Sequence, residues 1–128
     1  MKTRKLALFA ACLLALFVTV ATATAAWAHS FPEEQNPAAG QTVAAAPSAV
    51  SIKYDAPIEH LFAKLEVVDG AGNDLATGQP EVSSDGRILS VKVKQLKPGD
   101  YTVKWAVVCI DSHHTQGSYV FTVSKGGQ

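Results

Sequence analysis

The stretch YTVKWAVVC, residues 101–109, sets Tyr101, Val103, Trp105, Val107 and Cys109 at alternate positions against Thr102, Lys104, Ala106 and Val108. Successive side chains on extended backbone leave on opposite sides, so this period of two marks a strand with one face buried. Such a strand needs sheet partners and a second apolar layer, which excludes a helical bundle built around it. The same alternation recurs in AVSIKY (Val50, Ile52, Tyr54), KLEVVD (Leu65, Val67) and ILSVKV (Leu89, Val91, Val93), and SYVFTV closes the chain. Between these runs stand Asp69-Gly70-Ala71-Gly72-Asn73, Ser84-Asp85-Gly86 and Lys97-Pro98-Gly99-Asp100, all with turn chemistry. Short strands punctuated in this way predict an all-β chain, an immunoglobulin-like Greek-key β-sandwich. AAGQTVAAAPSAV is rich in alanine, but Gly40 and Pro47 interrupt it and it has no charged face, so it reads as an irregular lead-in to the first long strand. The final KGGQ reads as a frayed end.

Ahead of the strands lies a different kind of sequence. Residues 1–28 open on Lys2, Arg4 and Lys5, continue as an apolar run without an acidic side chain, and end on Ala26-Trp27-Ala28. That is the layout of a secretory signal peptide with a small-x-small cleavage site. The alternative is a retained anchor, since the run approaches the roughly 20 residues that span a bilayer. The Ala- and Thr-rich end of the run favours cleavage between Ala28 and His29, which places the processed chain in the periplasm or outside the cell. Residues 29–128 then form one domain of 100 residues, too few for two independent cores. The leader carries three of the 11 basic residues and none of the 11 acidic ones, leaving a formal charge of −3. Nucleic acid and anionic membrane are poor partners for that balance. Cys12 leaves with the leader, so Cys109 has no partner for an internal disulfide, and Met1 is the sole methionine of the whole sequence.

One polar cluster does not resemble a turn: VVCIDSHHTQG, residues 107–117, at the end of the strongest strand. Asp111 and His113 are two apart, and on extended backbone their side chains share a side. Cleavage would make His29 the first residue, with a free α-amine and an imidazole Nδ1 able to close a six-membered chelate on one metal. Two nitrogens of His29, one of His113 and an oxygen of Asp111 form a tetragonal N,O set that favours Cu(II). Zinc accepts the same donor types but prefers a tetrahedral arrangement.

The residues also resemble a known family. HSFPEEQNPAAGQTVAAAPSAVSIKYDAPIE is similar to the opening of mature CopC-type periplasmic copper-binding proteins: an N-terminal His, then Pro37-Ala38 with Gly40, then Ala46-Pro47 with Val50. LKPGDYTVKWAVVCIDSHHTQGSYVFTV resembles their closing half, with Leu-x-Pro-Gly-x-Tyr-x-Val-x-Trp, the Asp-x-His pair and a glycine before the last strand. The resemblance covers residues 29–128 and implies a small β-sandwich holding one Cu(II) through His29, Asp111 and His113. It further implies a role in copper homeostasis or resistance, with a CopD-type inner-membrane copper transport protein as partner. Some members carry a Met-rich Cu(I) site, which this chain lacks the methionines to build. Many have serine at the position of Cys109, and some have a Glu before the proline aligned with Pro57, where this chain has Ala56.

The remaining polar residues carry less. His114 is a rival to His113, but alternation turns it away from Asp111; His60 beside Glu59 reads as a surface histidine. Cys109 shares the parity of Trp105 and Val107 and reads as a small core residue, with thiolate ligation of Cu(I) as the alternative. Tyr101 and Trp105 read as core aromatics. Glu33 and Glu34 are adjacent and point to opposite sides, so they cannot flank one substrate as acid and base. The expected function is therefore that of a monomeric, non-enzymatic carrier or buffer of one Cu(II). A copper oxidase with an N-terminal histidine site and a metal-free immunoglobulin-like interaction module are the alternatives.

Overall fold

The computed structural model describes residues 2–6, which form one short helical segment, and residues 30–126, which fold into eight strands. Most of the apolar leader, its cleavage site and His29 lie outside the described residues. Among the described residues no helix is long and apolar enough to cross a membrane.

The strands are β1 (Pro32–Asn36), β2 (Thr42–Val43), β3 (Ala49–Tyr54), β4 (Lys64–Val68), β5 (Ala76–Val82), β6 (Ile88–Val93), β7 (Gly99–Val108) and β8 (His114–Val123). They form two four-stranded sheets, ordered β1-β3-β6-β5 and β2-β8-β7-β4, which gives the expected all-β, immunoglobulin-like Greek-key sandwich. Strand pairing is antiparallel except where the two residues of β2 run parallel to the end of β8. The alternating positions fill the space between the sheets. Val50, Ile52 and Tyr54 of β3, Leu89 and Val91 of β6, Leu65 and Val67 of β4, and Tyr101, Val103, Trp105 and Val107 of β7 are buried in one apolar cluster. Phe121 stacks on Tyr101 at a centroid distance of 5.6 Å, and Tyr54 meets Trp105 edge-on at the same distance.

β3 and β6 coincide with the alternating runs AVSIKY and ILSVKV. Three of the other strands, β1, β5 and β8, show where a simple alternation is blurred. β1 (PEEQN) and β5 (ATGQPEV) are edge strands of the first sheet, and their largely exposed, polar sequences carry little apolar signal. In β5 the register with β6 shifts between Thr77 and Glu81, with Gly78 at φ 73° and Pro80 inside the irregular stretch. β8 begins at His114, four residues ahead of SYVFTV, and Gly117 thus lies inside the strand rather than before it. Gly99 and Asp100, expected in a turn, already pair with Val123 and Thr122.

Gly117 stands opposite Trp105 in the β7–β8 ladder. A Cβ on Gly117 would come within 2.7 Å of Trp105 Cζ2, so the indole occupies the volume that any side chain at 117 would take. Gly117→Ala is therefore expected to destabilise the domain by about 1–3 kcal/mol, the cost of overpacking a filled site, and urea denaturation of the variant reads this directly.

The hydroxyls of Tyr54 and Tyr119 are buried without a hydrogen-bond partner among the described residues. Burial pushes the Tyr119 phenol up to about 12, and burial followed by the neighbouring Tyr119 pushes Tyr54 up as well. Both groups then stay protonated in the folded chain at a pH where the unfolded chain, near pKa about 10, releases their protons. The unfolded state binds fewer protons there, so stability is complete below about pH 10 and declines as pH rises toward the folded values. Thermal melts between roughly pH 9 and pH 11.5 should show this decline, and Tyr119→Phe should flatten it without lowering stability at pH 7, because it removes an unsatisfied buried hydroxyl.

Candidate metal centre

The chain leaves β7 at Val108, whose carbonyl accepts the N–H of Glu59 at 2.8 Å, and Cys109 bridges antiparallel to Ile58. A tight turn follows. Ser112 N–H donates to the Cys109 carbonyl at 2.9 Å, and Cys109 N–H donates to the His113 carbonyl at 2.8 Å, closing a loop that hands the chain to β8. Ser112 takes a positive φ of 73°, uncommon for a residue with a side chain. Asp111 and His113 do meet on one side, as their spacing suggests, but a turn brings them together and not the extended backbone assumed from sequence.

The two side chains touch. His113 Nδ1 lies 2.9 Å from Asp111 Oδ2, and the backbone N–H of His113 donates to Asp111 Oδ1 at 3.2 Å. Both remain accessible, with 55% of the His113 side chain and 39% of the Asp111 side chain exposed. When Nδ1 carries the imidazole proton it donates to the carboxylate, and this fixes the ring and directs Nε2 as the second nitrogen. A carboxylate and an imidazole side by side also offer one oxygen and one nitrogen donor to a cation. Among the described residues no third His, Cys, Asp or Glu joins this pair closely enough to complete a metal site.

The other singled-out residues are placed clearly. His114 starts β8 opposite Val108 and lines a separate hollow of about 380 Å³ with Leu61, Phe62 and Gln79. His60 is exposed in the segment between β3 and β4. Cys109 is 2% exposed and is a free thiol, packed at the site end of β7. Ala56 lines a hollow of about 260 Å³ with Ser30, Pro57, Cys109, Ile110 and Asp111, so a methyl group stands beside Asp111 on that side. Asp55 accepts the N–H of Phe31 at 2.8 Å through its carboxylate, while its own N–H donates to the Phe31 carbonyl at 3.0 Å.

Ser30 was not foreseen from sequence. It is 0% exposed and is the one buried polar residue among those described. Its N–H donates to Cys109 Sγ at 2.9 Å, its hydroxyl donates to the Pro57 carbonyl at 3.2 Å, and its carbonyl accepts the Thr115 hydroxyl at 3.0 Å. These contacts join positions 79, 27 and 85 residues apart, so no local spacing announces them. The only signal in the sequence is adjacency, because Ser30 follows His29 directly.

Comparison with known proteins agrees with this architecture. The model of the CopC domain matches residues 32–124. Protein YobA of Escherichia coli K12 is 31% identical over 112 residues, covering 86% of this chain and 90% of YobA. The copper transport protein CutJ of Bacillus subtilis is 29% identical over 115 residues, which are 88% of this chain but 21% of CutJ. Among solved structures, CopC from Methylosinus trichosporium OB3b superposes with a TM-score of 0.70 at 29% identity, covering 75% of this chain and 94% of that one. PcoC, a methionine-rich copper resistance protein from Escherichia coli, has the same fold, with a TM-score of 0.66 at 22% identity over 76% of this chain and all of PcoC. A family model spanning nearly the whole sandwich, together with a relative 31% identical along most of its length, establishes that the chain belongs to the CopC family.

Proposed function

We propose that the exported chain, processed after Ala28, binds one Cu(II) ion and buffers or carries it in the periplasm, delivering it to an inner-membrane copper transporter of the CopD type. Copper is named for two of the proteins it resembles, the copper transport protein CutJ and, by likeness of fold, the copper resistance protein PcoC. The observation that carries the finer reading is the Asp111–His113 pair, a carboxylate and an imidazole in contact on an exposed turn, which offers one oxygen and one nitrogen donor to a metal ion. His29 supplies the other two donors, its amine and Nδ1, as a chelate that exists only at a processed N-terminus. Binding displaces protons from these nitrogens, so the metal competes with acid for the site.

The match to CutJ supports the partner. There the part that resembles this chain occupies about a fifth of a longer copper transport protein. A donor set of nitrogen and oxygen, in a processed chain without methionine, suits the oxidised ion and a carrier rather than a centre that cycles through Cu(I).

Two measurements test this reading. A form with one extra residue ahead of His29 should remain folded but lose Cu(II) affinity by at least the roughly 10–100-fold that loss of an outer-shell partner costs a metal site; wild-type affinity in a competition titration would place the site elsewhere. In an alanine series, Asp111→Ala and His113→Ala should each weaken Cu(II) at least tenfold with little change in melting temperature, since both lie in an exposed turn. His60→Ala should bind as the parent does, and an effect of His114→Ala equal to that of His113→Ala would reverse the assignment within the pair.

A further inference from the structure

Among the described residues, β8 carries a stretch of edge that is both open and unguarded. Cys109 N–H donates to the His113 carbonyl at 2.8 Å, so the odd-numbered residues of this ladder bond toward β7. Antiparallel pairs alternate between bonding each other and facing away, and the even-numbered residues of β8 therefore turn their backbone groups to the outer side. Gly40 N–H donates to the Val120 carbonyl at 2.7 Å and Thr122 N–H to the Gln41 carbonyl at 2.9 Å, which agrees with that phase and covers the far end. From His114 to Ser118 no strand lies on this side among the described residues, and His114, Gln116 and Ser118 are exposed. The other edges are managed. β5 has Gly78 and Pro80, and β1 has Glu33 and Glu34 at Lys53. β4 is covered by the loop that follows it, where Asp74 accepts the Val67 N–H at 3.1 Å and the Val67 carbonyl accepts the Leu75 N–H at 2.8 Å. His114-Thr115-Gln116-Gly117-Ser118 has no proline, no carboxylate or ammonium group and an unbroken register, and so none of the devices that keep an open edge from pairing.

We infer that this edge is a self-association surface, on which two copies of the chain pair β8 to β8, antiparallel about Gln116, and join their second sheets into one. Gln116 then faces Gln116, and His114 of each copy faces Ser118 of the other, each pair exchanging two N–H···O bonds. A second copy is the fitting occupant because the edge is its own complement. The outward groups are centred on Gln116, so a half-turn about that residue brings each donor onto an acceptor. The side chains agree: Gln116 meets a second amide, which both donates and accepts, and His114 meets a hydroxyl. On the outer face Lys104 stands opposite Ser118 and Lys64 opposite Ala106, so both ammonium groups stay at least one strand from the seam and no like charges face each other. A hollow of about 380 Å³ lined by Lys104, Trp105, Gln116, Gly117 and Ser118 leaves room beside the edge. Gly40 and Gln41 end the pairing at Val120, so the seam is short and the dimer dissociates on dilution. Nothing in this pairing requires a metal.

Sedimentation velocity of the processed chain between about 1 μM and about 1 mM should show a monomer giving way to a dimer. Gln116→Pro removes an N–H that β7 does not use, so the domain keeps its fold while each copy loses its central donor. It should weaken dimerisation about tenfold or more, the scale of two lost backbone bonds. Gln116→Lys sets two ammonium groups across the seam and should weaken dimerisation to a similar degree, with partial recovery in high salt. Cross-linking reads the location. Directly opposed, bonded residues have Cα atoms about 5.5 Å apart, within disulfide reach, so Gln116→Cys should give a covalent dimer on mild oxidation, whereas Glu81→Cys on β5 should not. A parent that stays monomeric at about 1 mM overturns the inference and leaves the edge to a strand of another protein. A dimer of unchanged strength in Gln116→Pro and Gln116→Lys overturns it as well, as does cross-linking through Glu81→Cys equal to that through Gln116→Cys. Gln116→Lys decides the matter if Gln116→Pro fails to fold.

Discussion

The pairing of β7 with β8, from Gly99 opposite Val123 to Val108 opposite His114, is the constraint on which the rest of the molecule depends. It is the longest ladder in the fold and supplies core side chains from both strands, including Tyr101, Val103, Trp105, Phe121 and Val123. Across that ladder the Trp105 indole occupies the space that a side chain at Gly117 would take, and this close approach favours a single register. A slip of one residue would turn every inward side chain outward, so the position of the connecting turn is fixed by packing far from it. Asp111 and His113 are therefore held by a rigid support, although they themselves lie in an exposed loop.

Where the sequence was legible, one physical rule applied without interference. β3, β4, β6 and β7 each bury one face, and their alternation can be read directly. β1, β2 and β5 lie at sheet edges, bury little and carry polar residues, so pattern alone does not reveal them. The first part of β8 escaped notice for a related reason: β2 covers only Thr42 and Val43 opposite Thr122 and Val123, leaving His114 to Gly117 with a neighbour on one side alone. The approach of Asp111 and His113 was legible through their two-residue spacing, even though a turn at Ser112 produces it. Ser30 was not legible, because its partners are distant in sequence and hydroxyls and carbonyls carry no spacing rule. His29 itself lies outside the described residues.

The chemistry of the site end is notable for its mixture of exposure and enclosure. Asp111 and His113 are open to solvent, while Cys109 and Ser30 one layer below are sealed. The nitrogen and oxygen donors of this end are therefore within reach of solvent, and the soft sulfur is not.

The irregular edge formed by β5 has a consequence of a different kind. An open strand offers unpaired backbone groups to any similar edge, and two sandwiches meeting there could continue one sheet into the other. Gly78 at positive φ breaks the regular spacing of those groups, and Pro80 removes one donor altogether. On the opposite edge, Glu33 and Glu34, expected on opposite sides of the strand, both reach Lys53 at a register shift between Pro32 and Glu34, so an approaching strand would meet charge rather than a clean ladder. Both edges of the first sheet are thereby guarded against continuing into the sheet of a neighbouring molecule.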